Sequence, residues 1–455
     1  MNELRVFRLN LALFVVACYV MLEAAFMLVR IPPDSIASVP TGELVIAFFV
    51  VTAVVDHQLF MPFFRSIPLI AFLVWWLVGA TQLVIGVSDH GFWAMRDATS
   101  LLESLFLWVG FVAASAPDGV SKIFRWFYRI LILAVCIALT YPFREFVTSI
   151  SPVIISAVQI PTPIFFTYQL APLTSLVAAL YLFSANSRVL GVHSSWLAAA
   201  VMVFVAALFQ SRTVYLQIVA VLGLLAFTKR GSLLNVLVPV TLSVGLFLAA
   251  VALGVPVPGR LSQNVSLSFY FEHFLAIGGG GSERTGLEDE AIRGAASGVG
   301  QRLLWWRVIW EHVCATWSGL LFGLGYGISL VGLAQDPFID PSVREPHNSL
   351  VSALGRTGFV GLTAYIWLHV SLAITLFRTH WYYRFNDNSE VAQFIYVLGG
   401  LFMLYWLAAI GEDAFEKPFV AISYYFFYGV ILNLYYRAAY PLGEGDSMLL
   451  DNTGA

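Results

Sequence analysis

The sequence predicts an all-α polytopic membrane protein. It expects about twelve transmembrane helices and one long, partly helical periplasmic loop between spans nine and ten. Three observations predict it. Hydrophobic residues make up 59% of the 455 and charged residues 11%, with a mean hydropathy of +0.82. Soluble domains carry roughly a quarter charged residues. The apolar residues also gather into runs near the ~20 that cross a bilayer as helix, and the positive charges are sorted between the two sides.

The runs fall near 10–29, 43–56, 67–86, 93–115, 126–141, 163–184, 195–210, 213–228, 233–254, 348–377, 390–410 and 418–437. The second, seventh and eighth are short. The first has no small-residue cleavage site after it and reads as a retained span. A single helix over 195–228 would put Arg188 and Lys229-Arg230 on opposite sides. Two short spans meeting at an outward turn, at Gln210-Ser211-Arg212, keep both on the cytoplasmic side. The layout is then residues 1–254 for nine spans, 255–347 for the loop, 348–437 for three spans and 438–455 for a cytoplasmic tail, of which the last 14 residues read as disordered.

With the N-terminus inside, the cytoplasmic segments hold Arg5, Arg8, Arg65, Lys122, Arg125, Arg129, Arg188, Lys229, Arg230, Arg378, Arg384 and Arg437. The short outward loops hold mainly Arg30, Arg144 and Lys417. A second set lies on or near the outer side, against the rule: Arg96, Arg212, Arg260, Arg284, Arg293, Arg302, Arg307, Arg344 and Arg356. Cations held there point to an anionic ligand. A net charge of -3 gives no case for nucleic acid. Three cysteines, Cys18, Cys136 and Cys314, suggest no disulfide framework.

Within the loop, Gly278–Gly281 and the charged run Ser282–Glu290 read as linker. Over 299–317, Leu303, Trp306, Trp310, Val313 and Trp317 recur at helical spacing, with Arg302 and Trp305 off that stripe. This reads as an amphipathic helix at the membrane interface, where Trp is favoured.

The loop ends in Arg344-Glu345-Pro346-His347-Asn348. His347 stands where a helix begins, and the dipole there disfavours imidazolium. Neutral imidazole is what a general base needs near pH 7. The bland alternative is that Asn348 caps the helix and His347 is a bystander. Gly355, Gly358 and Gly361 read as close packing against a neighbouring helix, a rigid support for His347. Arg356, a cation in the outer half of the bilayer, is a functional candidate by default. Arg212 at the outer face either meets a docked ligand or snorkels to lipid phosphates. Arg96-Asp97, with Glu103, forms a polar cluster in span four, structural or site-forming. Asp336 and Asp340 lack companions at metal-ligand spacing, and the tetraglycine lacks the Gly-Lys-Ser/Thr of a phosphate loop. No metal and no cofactor is expected.

Together these features resemble the O-antigen ligase and polymerase superfamily of bacterial inner-membrane glycosyltransferases. The likeness rests on His347-Asn348 followed after nine residues by Gly358-Phe359-Val360-Gly361. Arg302 before Trp305-Trp306, the turn Gly323-Leu324-Gly325-Tyr326-Gly327 and Ser211-Arg212 between two spans extend it. The resemblance implies a metal-independent, inverting transfer at the periplasmic face of the inner membrane, with both termini cytoplasmic. The donor is a glycan on undecaprenyl pyrophosphate. The acceptor hydroxyl belongs to a lipid A-core sugar in a ligase, or to a second lipid-linked repeat unit in a polymerase of O-antigen or exopolysaccharide. His347 would be the catalytic base, and Arg212 and Arg302 would hold the pyrophosphate. Arg344, Arg356 and Asn348 are further substrate-binding candidates. The competing class is a transporter of the same lipid, which would show repeated halves and polar groups at midplane. No repeat is visible, and the unusual charges cluster at the outer face.

Overall fold

The computed structural model describes residues 2–31, 39–155, 161–165, 168–185, 188–189, 192–228, 234–255, 287–335 and 343–440, with 287–299 through backbone only. The linker Gly278–Gly281, Asp336, Asp340, Lys229-Arg230, Arg260, Arg284 and the tail lie outside the described residues. The described chain is mostly helical and belongs in a membrane. Six helices are long and apolar enough to cross one: α1 (Asn2–Met27), α4 (Leu69–His90), α13 (Leu234–Ala252), α16 (Ser349–Phe385), α17 (Ser389–Gly411) and α18 (Pro418–Ala439).

Every expected run falls on helix, but not every run forms one long helix. The second run begins a pair, α2 (Thr41–Ala53) and α3 (Phe60–Ser66), bent through 102°. The fifth is α8 (Gly119–Leu139), bent 46° into a segment ending in α9 (Arg144–Ser149). Counting each bent pair as one span gives eight. The fourth run is broken into α5 (Phe92–Asp97), α6 (Thr99–Glu103) and α7 (Phe106–Ala114). The sixth, seventh and eighth are the shorter α10 (Ala171–Ala185), α11 (Ser194–Phe209) and α12 (Arg212–Thr228). At 1.5 Å per residue, helices of this length fall short of a ~30 Å hydrocarbon core.

The 102° bend has a polar cause. Asp56, at the corner, takes Arg5 through Nε (2.9 Å) and Nη2 (2.8 Å), and Arg8 through Nη1 (3.1 Å). All three are almost fully buried. Two arginines expected to face the cytoplasm are thus spent on an internal carboxylate, the pairing that buried charge requires. The centre of the bundle is α18, whose Phe and Tyr residues pack on all sides. It meets α7 backbone to backbone. A Cβ on Gly110 would meet the Phe426 carbonyl, and one on Gly429 the Leu107 carbonyl. In lipid, where apolar faces gain nothing from leaving water, such close approach is a main source of helix association.

In the loop, α14 runs from Leu287 to Cys314, so it begins inside the charged run read as linker. It stops before Trp317, which begins the separate helix α15 (Trp317–Phe322), capped by Thr316. The buried face of α14 overlaps the stripe read from the sequence only in part, at Val313. Trp305, Ile309 and Val313 are buried, whereas Leu303 and Trp310 are exposed. Trp305 lies inward because α14 packs on α16 and on Leu330, leaving the Leu303–Trp310 stripe on the outside.

Candidate functional site

Pro346 and Asn348 set the position of His347. The Asn348 side chain caps α16, its Oδ1 accepting from the Leu350 and Val351 N–H groups at 2.9 and 3.2 Å. Its Nδ2 donates to the Ile410 carbonyl at 3.0 Å, tying the cap to the end of α17. His347 itself has φ 52°, a left-handed conformation that non-glycine residues adopt at a cost of about 1–2 kcal/mol. Trp306 Nε1 donates to the Pro346 carbonyl at 2.8 Å, and the Trp305 ring centre lies 5.8 Å from that of His347. A strained residue gripped from three elements is the usual mark of a working position.

Behind the imidazole stands Asp413, in the short turn between α17 and α18. His347 Nδ1 is 3.2 Å from its Oδ1, and Lys417 Nζ is 3.1 Å from the same oxygen. Burial works against the charge on Asp413. The hydrogen bond with His347 and the charge of Lys417 outweigh it and hold the carboxyl well below the usual carboxylate range. With Asp413 ionised, Nδ1 of His347 must carry the proton of that bond. In the neutral ring this leaves the Nε2 lone pair bare. Asp413 is the functional residue that sequence reasoning missed. Its signal was an acidic pair, Glu412-Asp413, close to Lys417, the one lysine of three that charge parity places outward.

His347 opens onto a cavity of about 550 Å3. Arg302, Lys417, Glu412, Arg144, Tyr168 and Ser211 share its wall, and its deeper lining is apolar, with Leu170, Leu173, Val214 and Phe419. Arg302 Nη1 donates to the Gly411 carbonyl at 2.6 Å, at the root of the turn that carries Asp413. Among the described residues no carboxylate pairs with Arg302 or Arg144. Arg144 lies over the Tyr141 ring at 4.9 Å. Arg212 begins α12 between Ser211 and Thr213, both lining the cavity; it is not itself in the lining, though it feels the charge of Arg302. Two of the three cations noted in short outward loops, Arg144 and Lys417, therefore meet Arg302 here. The cavity floor is fixed from α1, where the carboxylate of Glu23 accepts the N–H groups of Gln169 (2.7 Å) and Leu170 (2.9 Å).

Arg344 and Arg356 go elsewhere. Arg344 grips both oxygens of Asp97, at 3.0 and 2.8 Å, and Arg356 reaches Asp97 at 3.1 Å and Glu345 at 2.5 Å. Neither lines the large cavity. The pairing answers the question of cost that a cation at membrane depth raises. The Arg96-Asp97 cluster contributes Asp97 to a structural lock. Asn348 acts as a cap and does not line the cavity.

The glycines also prove more specific than packing. Gly358 interrupts α16 with φ 62° and ψ -164°. The break frees the Gly355 and Arg356 carbonyls, which accept from the N–H groups of Leu324 (2.7 Å) and Gly325 (3.2 Å). A Cβ on Gly358 would come within 2.5 Å of Gly323 N and Leu321 C. The two glycine motifs, far apart in sequence, form one backbone clasp. Among the described residues no three of His, Cys, Asp and Glu are grouped as metal ligands. The chain matches no protein-family model, and no curated protein is significantly similar to it.

Proposed function

We propose that the protein is a metal-independent, inverting glycosyltransferase of the bacterial inner membrane. It moves a glycan from undecaprenyl pyrophosphate to an acceptor sugar hydroxyl at the periplasmic face, in the manner of an O-antigen ligase with a lipid A-core acceptor. One observation carries the reading. A histidine with Asp413 behind one nitrogen shares a single cavity with Arg302, a guanidinium without a carboxylate partner among the described residues.

The chemistry follows from that pairing. Nε2 of His347 takes the proton of the acceptor hydroxyl as its oxygen bonds to the anomeric carbon, a step worth roughly 10²–10⁴-fold. Asp413 stabilises the imidazolium that forms. The bond from that carbon to the pyrophosphate oxygen breaks, and its electrons leave with the lipid pyrophosphate. Arg302 and Arg212 offset the charge that grows there, with Arg144 and Lys417 as further cations on the same wall. Arginine supplies this in fixed bidentate geometry. One displacement inverts the centre. The apolar lining suits the first isoprene units of the donor, and the polar end suits sugars.

The twelve-span arrangement belongs to the same reading. Four apolar helices shorter than 18 residues would complete it, with the cavity at the outer end. The cavity wall draws on residues near 144, 168–173, 209–214, 302, 347 and 412–420, all assigned outward by charge parity.

Reconstitution with a lipid-linked repeat unit tests the function. Transfer that requires added lipid A-core supports the ligase. Chain growth from the repeat unit alone makes the protein a polymerase. Passage of the lipid across the bilayer without a new glycosidic bond would make it a transporter and sink the reading.

A further inference from the structure

Beneath the His347 loop lies a second polar enclosure. Asp97, Glu345, Glu416 and Arg356 line a cavity of about 20 Å3. Arg344 and Arg356 are committed to Asp97 and Glu345. Glu416 receives neither. Its Oε2 accepts the Ser349 hydroxyl at 2.6 Å, and the same Ser349 oxygen accepts the Phe415 N–H at 3.2 Å. Counting ion pairs among the described residues, Asp97 and Glu345 each have at least one and Glu416 has none. Arg96 adds its charge to Asp97 and Glu345. A protonated Glu416 needs no such partner.

A second observation is independent of that count. Arg356 is 3% exposed, and its Nε–H has no hydrogen-bond partner. An orphaned buried donor costs about 1–3 kcal/mol. Arg356 lines the small cavity; its guanidinium disfavours a cation there, and three carboxylates disfavour an anion. One water needs roughly 10–15 Å3 of such space, accepts from Nε–H and donates to a carboxylate.

We propose that Glu416 is a protonated positioning residue which, with one water bound against Arg356 Nε, forms the underside of the 412–417 turn and holds Asp413 on His347. Ionised, Glu416 would face Glu345 across the small cavity and Asp413 within its own turn. Lys417 pairs with Asp413 (3.1 Å) and Glu412 (3.7 Å), and its attraction to Glu416 is the weaker one. The remaining groups that face it are Arg356 and Tyr365 from α16, Asp97 from α5, Tyr326 from the glycine turn and Tyr425 from α18. None supplies a free positive charge. Burial first, and Glu345 second, push the Glu416 carboxyl up to about 8, in line with the geometry. The effect on transfer rests on the function proposed above; the proton and the water do not.

Infrared spectra of the full chain in lipid nanodiscs, wild type minus Glu416→Gln, test the proton directly. The difference shows a protonated-carboxyl C=O band at about pH 7 that disappears by about pH 9. No such band at pH 7 overturns the proposal, whether or not the protein transfers glycan. Transfer rates test the positioning role. Wild type loses about fivefold in kcat between pH 8 and 9, as one group with its midpoint at about 8 requires, while KM holds. E416Q, a neutral mimic that keeps an acceptor for Ser349, carries its rate through that range. Superimposable profiles for the two proteins overturn the role. An experimental density map with the small cavity empty removes the water.

Discussion

At the scale of single residues, the account turns on which side chains have a partner and which do not. Asp413 has its charge committed to His347 and Lys417, so its removal should damage chemistry more than binding. Asp413→Ala is expected to lower kcat by roughly 10²-fold or more while donor affinity changes little. Equal loss of affinity and rate would show that Asp413 merely builds the cavity. The two acids of the turn also oppose each other in stability. Glu416 has a raised carboxyl, so the folded state holds its proton after the unfolded state has lost it. Stability should therefore fall as pH rises from about 4.5 to about 8, and the decline should be smaller in Glu416→Gln. Asp413 is depressed, so its contribution is present above its ordinary value of 3.8 and is lost in more acidic solution. Thermal unfolding in detergent against pH, wild type beside E416Q, reads both limbs. His347 and Arg302 were candidates in the sequence, the one as a histidine at a helix start, the other as one of nine outward cations and singled out by the resemblance. Asp413 was not evident, because its partner lies 66 residues away and the acidic pair beside Lys417 does not say which residue it meets.

At the scale of elements, the glycine clasp joins α16 to the turn after α15. Gly358 is the position where a side chain is least tolerated. Its φ 62° and ψ -164° fall where essentially only glycine goes, at a cost of about 1–3 kcal/mol for any other residue, and the added Cβ meets backbone that cannot swing away. Gly358→Ala should lower stability by about 2 kcal/mol or more and loosen the Gly323–Gly327 turn, read as faster amide exchange at Leu324 and Gly325. Unchanged exchange would contradict the clasp. The sequence pattern showed that these glycines matter but suggested helix packing, because their three-residue spacing looks the same for a packed face and for a break. Helix α14 was legible as a helix, but its buried contacts were not: of the apolar stripe, Val313 is buried while Leu303 and Trp310 are exposed. An apolar stripe tells which residues avoid water, and in a membrane protein lipid satisfies them as well as a core does. Only the partner helix decides that Trp305, Ile309 and Val313 turn inward.

At the scale of the whole molecule, hydropathy alone delivered a helical membrane protein, and the bends came from polar residues that hydropathy averages away. Asp56 at the α2–α3 corner and Asp97 in the broken fourth run are the examples. The same global architecture should place every cavity residue on one face of the bilayer. Single cysteines at Arg144, Arg302 and Lys417, in a background without the three native cysteines, should all label from the periplasmic side with an impermeant reagent. Labelling of any one only from the cytoplasm would break the proposed topology. The central claim is that one cavity joins a base, His347, to a pyrophosphate grip, Arg302. Its most direct test is to measure donor binding and transfer together in the reconstituted protein. The account predicts that His347→Ala still binds the undecaprenyl-pyrophosphate glycan and no longer transfers it, whereas Arg302→Ala fails to bind it. A His347→Ala protein that inserts normally and transfers at the wild-type rate would contradict it.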